Sequence, residues 1–255
     1  MTFPVEIGID GFSISAHLLF ETAAFVIGFR YFLYLRRRAG DELPEPNRVW
    51  IMIAAALGAF LFSRLIGSLE DPPSFLNSNS KLLYFYSNKT IVGALLGGLL
   101  SVELVKLMIH EKRSSGDLFT YPLILAMMIG RIGCFTSGVY EPTYGIETTL
   151  PWAMNLGDGK LRHPVALYEI IFLAALWLLL IFVERNYKLV SGVRFKLFMI
   201  GYLLFRFLLD FIKPGYRLPI GLTTIQLTCV CGLLYYYHTI YRLVLSPLKL
   251  ISNER

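Results

Sequence analysis

The stretch LFTYPLILAMMIGRIGCFTSGVYEPTYG, residues 118–145, is an apolar run that admits a charge near its end. About 20 mostly apolar residues cross a bilayer's hydrocarbon core, and 118–137 reaches that length. Arg131 lies inside it, flanked by Gly130 and Gly133. A guanidinium at mid-bilayer costs about 2.5–3.5 kcal/mol on insertion scales, and less toward an interface. A chain that keeps such a residue must gain something from it.

The surrounding chain has the same character. Of its 255 residues, 55% are hydrophobic and 16% charged, where soluble domains carry roughly 25% charged residues; the mean hydropathy is +0.58. Six further stretches qualify as spans, at roughly 13–35, 48–69, 90–109, 164–184, 193–213 and 220–246. The expected fold is an all-α integral membrane protein, a bundle of seven transmembrane helices forming one domain over residues 1–255. No repeat is visible, and the N-terminus lacks the basic region of a cleavable signal peptide. The net charge of +6 is scattered over the connections, which argues against a nucleic-acid partner. Cys134, Cys229 and Cys231 sit in apolar context without metal-ligand spacing and read as buried small residues. The sequence calls for no cofactor or metal.

Orientation follows from the basic residues. Fourteen lie in connections one, three and five and at the C-terminus, against six on the opposite side. The positive-inside rule then puts the N-terminus outside and the C-terminus in the cytoplasm. Arg30 can snorkel to the inner surface, and Glu103 with Lys106 reads as a structural pair. Arg64, Arg131 and Arg206 instead fall in the outer halves of their spans. Spans one, five and seven bring His17 and Glu21, Tyr168 and Glu169, and Gln226 to the same depth. Asp210 is one helical turn from Arg206, on the same face.

Two readings of this level stay open. One is a self-neutralised network that holds the helices together. The other is a polar cavity in which carboxylates orient some arginines and leave others to grip an anion, since guanidinium forks match phosphate bidentately. A phospholipid headgroup could enter such a cavity from the side. The glycines of "GALLGG", Gly93 and Gly97, form a close-packing face. Gly130, Gly133 and Ser137 form another and would let a ligand approach the backbone beside Arg131. Pro164 marks the start of span five, leaving Arg162 and His163 at its outer mouth, where backbone N–H groups favour anions.

These residues resemble the prolipoprotein diacylglyceryl transferase family over most of the chain. The stretch from Gly130 through Gly138 to Gly145 resembles the family signature, with Arg131 as its functional arginine and Glu141 and Tyr144 beside it. "LPW" at 150–152 and "RHPVALYE" from Arg162 to Glu169 resemble its fifth-span segment. "LFRFLLDF" resembles its sixth span, with Arg206 as the second essential arginine and Asp210 in place of a glutamate. "IGLTTIQ" brings Gln226 into register; Arg64 matches a glycine–arginine pair, and His17 an early histidine. The sequence departs from the family at Leu19, Val92 and Cys134, where a tyrosine, a histidine and an asparagine are usual.

The resemblance implies a reaction at the outer face of the cytoplasmic membrane. The diacylglyceryl group of phosphatidylglycerol moves to the lipobox cysteine of a prolipoprotein signal peptide, and glycerol phosphate leaves. Arg131, Arg206 and His163 are the expected catalytic residues. Arg64, His17, Arg162, Tyr168, Glu169, Asp210, Gln226, Glu141, Gly130, Gly133, Gly138 and Gly145 are the expected substrate-binding ones. Val92 leaves the general base open, with His163 the favoured candidate and helix capping its alternative role. A different acceptor, or a non-catalytic protein that binds or moves membrane lipids, are the competing functions.

Overall fold

The computed structural model describes residues 3–9 and 12–245, and its regular structure is helical apart from two short hairpins. The helices are α1 (Ala16–Ala39), α2 (Glu45–Ser68), α3 (Pro72–Asn77), α4 (Lys81–Ser87), α5 (Ile91–Met108), α6 (Asp117–Ser137), α7 (Val165–Asn186), α8 (Val193–Leu209), α9 (Thr224–Tyr235) and α10 (Tyr237–Leu245). Five of them, α1, α2, α5, α6 and α7, are long and apolar enough to cross a membrane. They are apolar on nearly every side, the pattern of a helix whose outer face meets lipid rather than water. Residues such as Phe25, Leu57, Leu104, Ile171 and Leu178 are accordingly exposed. The chain is a multi-pass membrane protein.

The remaining expected spans take a different form. At 17 residues α8 covers about 26 Å, and the 3-10 turn Asp210–Ile212 continues it. The seventh stretch is divided: α9 ends at Tyr235, Tyr236 breaks the helix, and α10 follows. Residues 246–255, the end of that stretch and the tail, lie outside the described residues. The first span also starts later than expected. Residues 13–15 belong instead to an antiparallel hairpin, β1 (Glu6–Ile9) with β2 (Phe12–Ser15), in the register Glu6 to Ser15. Alternating polar and apolar residues in "FSIS" are strand-like, and the adjoining apolar helix masked that signal.

The described residues form two compact units. The first falls within Met1–Gly40 and Gly116–Pro214, the second within Asp41–Ser115 and Gly215–Pro247. In the first, α1 packs along α6 and α6 along α7. Phe32 stacks on Phe119 at 4.6 Å and Phe172 on Phe205 at 3.9 Å. Its far end is fixed by polar groups. Asp117 accepts from the backbone N–H groups of Gly192 (2.6 Å) and Phe195 (3.0 Å), capping the start of α8. Tyr121 donates to Glu184 at 2.6 Å, and Arg194 pairs with the same carboxylate at 2.9 Å.

In the second unit α2 lies against α5. A methyl group at Gly97 would stand 2.5 Å from the Gly58 carbonyl oxygen and strike the Phe62 ring, so the "GALLGG" glycines do serve close helix packing. Arg48 is no solvated loop residue: it is 2% exposed, bound bidentately by Asp41 at 2.6 and 2.7 Å, and donates to the Ser115 carbonyl. The Glu103–Lys106 pair forms as expected, at 3.2 Å.

Candidate functional site

The first unit gathers the charges of three helices. Arg131, in the last turns of α6, places Nε 2.8 Å from Glu169 Oε1 on α7. The same carboxylate oxygen accepts from the Tyr202 hydroxyl on α8 at 2.7 Å. Glu169 is 2% exposed and Tyr202 fully buried. One turn further along α8, Arg206 lies within electrostatic reach of Glu169. Its Nη1 stands 3.2 Å from Asp210 Oδ1, close enough for an ion pair but not aligned for a hydrogen bond. Arg206 is 4% exposed, yet its Nε and Nη1 have no hydrogen-bond partner among the described residues. Buried donors are nearly always satisfied, so these two stand out as exceptions.

Tyr202 escaped the sequence reading. The signal was present, because Tyr202, Arg206 and Asp210 repeat at four-residue spacing and so share one face of α8 and the turn that continues it. Cys134 was read only as a small buried residue. It is half-buried, and its Sγ lies 3.5 Å from Arg131 Nη1. Cys231 is exposed on α9, contrary to the expectation that all three cysteines are buried.

A second cluster joins α1 to the signature loop. His17 Nε2 is 3.5 Å from Glu21 and 3.6 Å from Glu141, and neither ring nitrogen makes a hydrogen bond among the described residues. Gly133 brings α6 against this point: a methyl group there would stand 3.2 Å from the His17 carbonyl oxygen. That glycine therefore serves helix packing. Gly130 differs, with open space where a side chain would be.

The third cluster is the connection from 138 to 163, which folds over the C-terminal end of α6 and the N-terminal end of α7. Gly138 has φ +60° and lies tight against the Leu156 carbonyl and Phe3. Strands β3 (Met154–Asn155) and β4 (Leu161–Arg162) pair antiparallel. Arg162 binds Asp158 at 2.7 Å and covers the Tyr144 ring at 5.0 Å. The Arg162 guanidinium holds the Asp158 carboxyl below the usual carboxylate range. Gly145 allows the close approach of His163, whose Cβ would stand 2.5 Å from a side chain there. Pro164 is the cap before α7 rather than its first residue. Tyr168 accepts from Trp152 Nε1 at 2.7 Å and meets His163 Nδ1 at 3.1 Å.

Arg64 and Gln226 belong to the second unit. The Arg64 guanidinium lies over the Tyr86 ring at 4.9 Å and the Phe60 ring at 5.6 Å. Gln226 is fully buried; its side-chain oxygen accepts from the Thr223 N–H at 2.9 Å, closing a capping box at the start of α9. Val92 is fully buried in α5.

Comparison with known proteins adds the family. A sequence model of the prolipoprotein diacylglyceryl transferases matches residues 4–242. Three similar proteins carry the name phosphatidylglycerol–prolipoprotein diacylglyceryl transferase. That of Bordetella parapertussis is 31% identical over 176 residues, 64% of this chain and 63% of its own. That of Nitratidesulfovibrio vulgaris is 32% identical over 202 residues, 74% of this chain and 72% of its own. That of Campylobacter hominis is 27% identical over 228 residues, 83% of this chain and 79% of its own. The match to the Bordetella protein thus spans less than two thirds of that relative's length. The family match from the first hairpin to α10, with the Arg131–Glu169–Arg206 cluster inside it, assigns this chain to the prolipoprotein diacylglyceryl transferase family.

Proposed function

We propose that this protein transfers the diacylglyceryl group of phosphatidylglycerol to the cysteine thiol of a prolipoprotein. The lipobox of the signal peptide supplies that thiol, and the reaction runs at the outer face of the cytoplasmic membrane. The chain acts as one membrane domain of seven crossings with its N-terminus outside; the bias of basic residues supports this orientation. The observation that carries the reading is Arg206, a buried guanidinium with two donors unspent, beside a family match that covers nearly the whole chain.

The chemistry follows from the charges. The acceptor thiol gives up its proton as its sulfur attacks the glycerol carbon that bears the phosphate. The carbon–oxygen bond breaks, glycerol phosphate leaves with the electron pair, and the proton passes to the leaving phosphate or to water. Negative charge grows on the phosphate oxygens during this step. Arg131 and Arg206 are fixed donors in a water-poor site, where such stabilisation is strongest. Glu169 and Asp210 orient the two guanidiniums, and Tyr202 holds Glu169. Their charges balance without ligand. The unused Arg206 donors and the open space at Gly130 favour a headgroup site over a network that only holds helices together. Arg64, in its aromatic surround, is an anion contact of the second unit in its own right, and His17 with Glu141 shapes the signature loop of the first.

Purified protein mixed with phosphatidylglycerol labelled in its acyl chains and a lipobox peptide should yield a diacylglyceryl thioether on the peptide cysteine. Folded protein that moves no label would refute the assigned reaction.

A further inference from the structure

We propose that His163 acts as a hydrogen-bond donor through Nε2, held in that tautomer by Tyr168 and Trp152, and so does not take the proton of the acceptor thiol. This deepens the transferase reading and rests on it only for the identity of the anion. The Trp152 indole nitrogen is a donor and nothing else, so at 2.7 Å the Tyr168 oxygen must accept from it. The hydroxyl keeps one proton to place. Its only other hydrogen-bond neighbour among the described residues is His163 Nδ1, at 3.1 Å. Donating there satisfies all three groups in a single direction, from indole to phenol to imidazole. A neutral imidazole that accepts at Nδ1 carries its proton on Nε2.

Such a ring offers an N–H where a base would need a lone pair. Nε2 has no hydrogen-bond partner among the described residues, so it is free for a ligand. The ring is also well placed to keep its direction. The His163 N–H donates to the Ile146 carbonyl at 3.1 Å, and its own carbonyl accepts from Gly145 and Val165 at 3.1 and 2.9 Å. The Tyr168 ring meets it edge-on at 6.0 Å between centroids. A fixed neutral donor beside the signature loop suits an anionic phosphate oxygen. Tyr168 and Trp152 are positioning residues: they act through His163.

Nitrogen-15 spectra of histidine-labelled protein in detergent, with His163 assigned by its loss in His163→Gln, read the tautomer directly. The wild type should show an unprotonated Nδ1 and a protonated Nε2. Tyr168→Phe should turn this into a mixture of tautomers, and Trp152→Phe should shift it partway. In the transfer assay His163→Gln, whose side-chain amide also offers an N–H, should keep activity within about tenfold. His163→Ala should lose more, on the order of a hundredfold, as for other lost donors. A wild-type ring protonated on Nδ1 would overturn the proposal. So would a His163→Gln protein as inactive as His163→Ala with an unchanged melting temperature. If the wild type transferred no lipid, the reaction assigned above would fall, and the tautomer spectra alone would still decide the state of His163.

Discussion

Arg206 shows what a single side chain contributes here. It sits among buried apolar residues, pairs loosely with Asp210 and keeps two donors without a hydrogen-bond partner among the described residues. A lysine at this position would keep the charge but lose the planar fork that matches phosphate. Arg206→Lys should therefore lower the rate of diacylglyceryl transfer by about 10²- to 10³-fold, the range for removing one stabilising donor. The melting temperature in detergent should stay near that of the wild type, because the charge beside Asp210 and Glu169 remains. A variant that melted early with undiminished transfer would make Arg206 a structural residue. Sequence alone pointed to Arg131, Arg206, Glu169 and Asp210 because ionisable groups inside apolar spans are conspicuous. It did not show which acid holds which arginine. Glu169 binds Arg131 across two helices, while Asp210 stays within its own helix, and only the packed positions of α6, α7 and α8 reveal that division.

At the scale of the element, helix identity was legible wherever a long apolar run ended in polar turns. The starts and ends of α2, α5, α6 and α7 lie within a few residues of the expected spans. The misses have a common cause. The hairpin of β1 and β2 and the break at Tyr236 each adjoin an apolar helix, and a hydropathy window extends over such neighbours. The glycine face of α5 was legible as a packing device, and its partner in α2 was not. Gly97→Ala would push a methyl group against the Gly58 carbonyl and the Phe62 ring. Overpacking of this kind costs about 1–3 kcal/mol, so the variant should melt earlier in a thermal scan. The same substitution at Gly130, where space is open, should leave the melting temperature nearly unchanged.

For the molecule as a whole, sidedness and pH response are testable together. The connection 138–163 carries the Asp158–Arg162 pair, and connection three carries Lys112. With the native cysteines replaced, a cysteine at position 158 should react with an impermeant maleimide in intact cells. One at position 112 should react only after permeabilisation; the reverse pattern would invert the topology. The acid limb of stability should involve Asp158. Its carboxyl is held below the ordinary value by Arg162, so the stabilisation is present above the unfolded-state value. It is lost as pH falls through the lower folded-state value. The melting temperature of the wild type should exceed that of Asp158→Asn by a constant amount between pH 5 and 8. That difference should begin to shrink only near the ordinary carboxylate value of about 3.9 and vanish below the lower folded-state value.

Sequence by itself determined that this chain is a helical membrane protein and which ionisable residues lie inside its apolar spans. Hydrophobic run length and the cost of charge in lipid are properties of local composition. Tertiary structure decided the rest. It joined Tyr202 to Glu169, left two Arg206 donors unspent, turned Gly133 and Gln226 to packing and capping, and set Tyr168 between an indole and an imidazole. The Tyr202–Glu169 bond and the approach of Gly133 to His17 bring residues far apart in the chain within about 3 Å, the length of a hydrogen bond, and no local pattern encodes that distance.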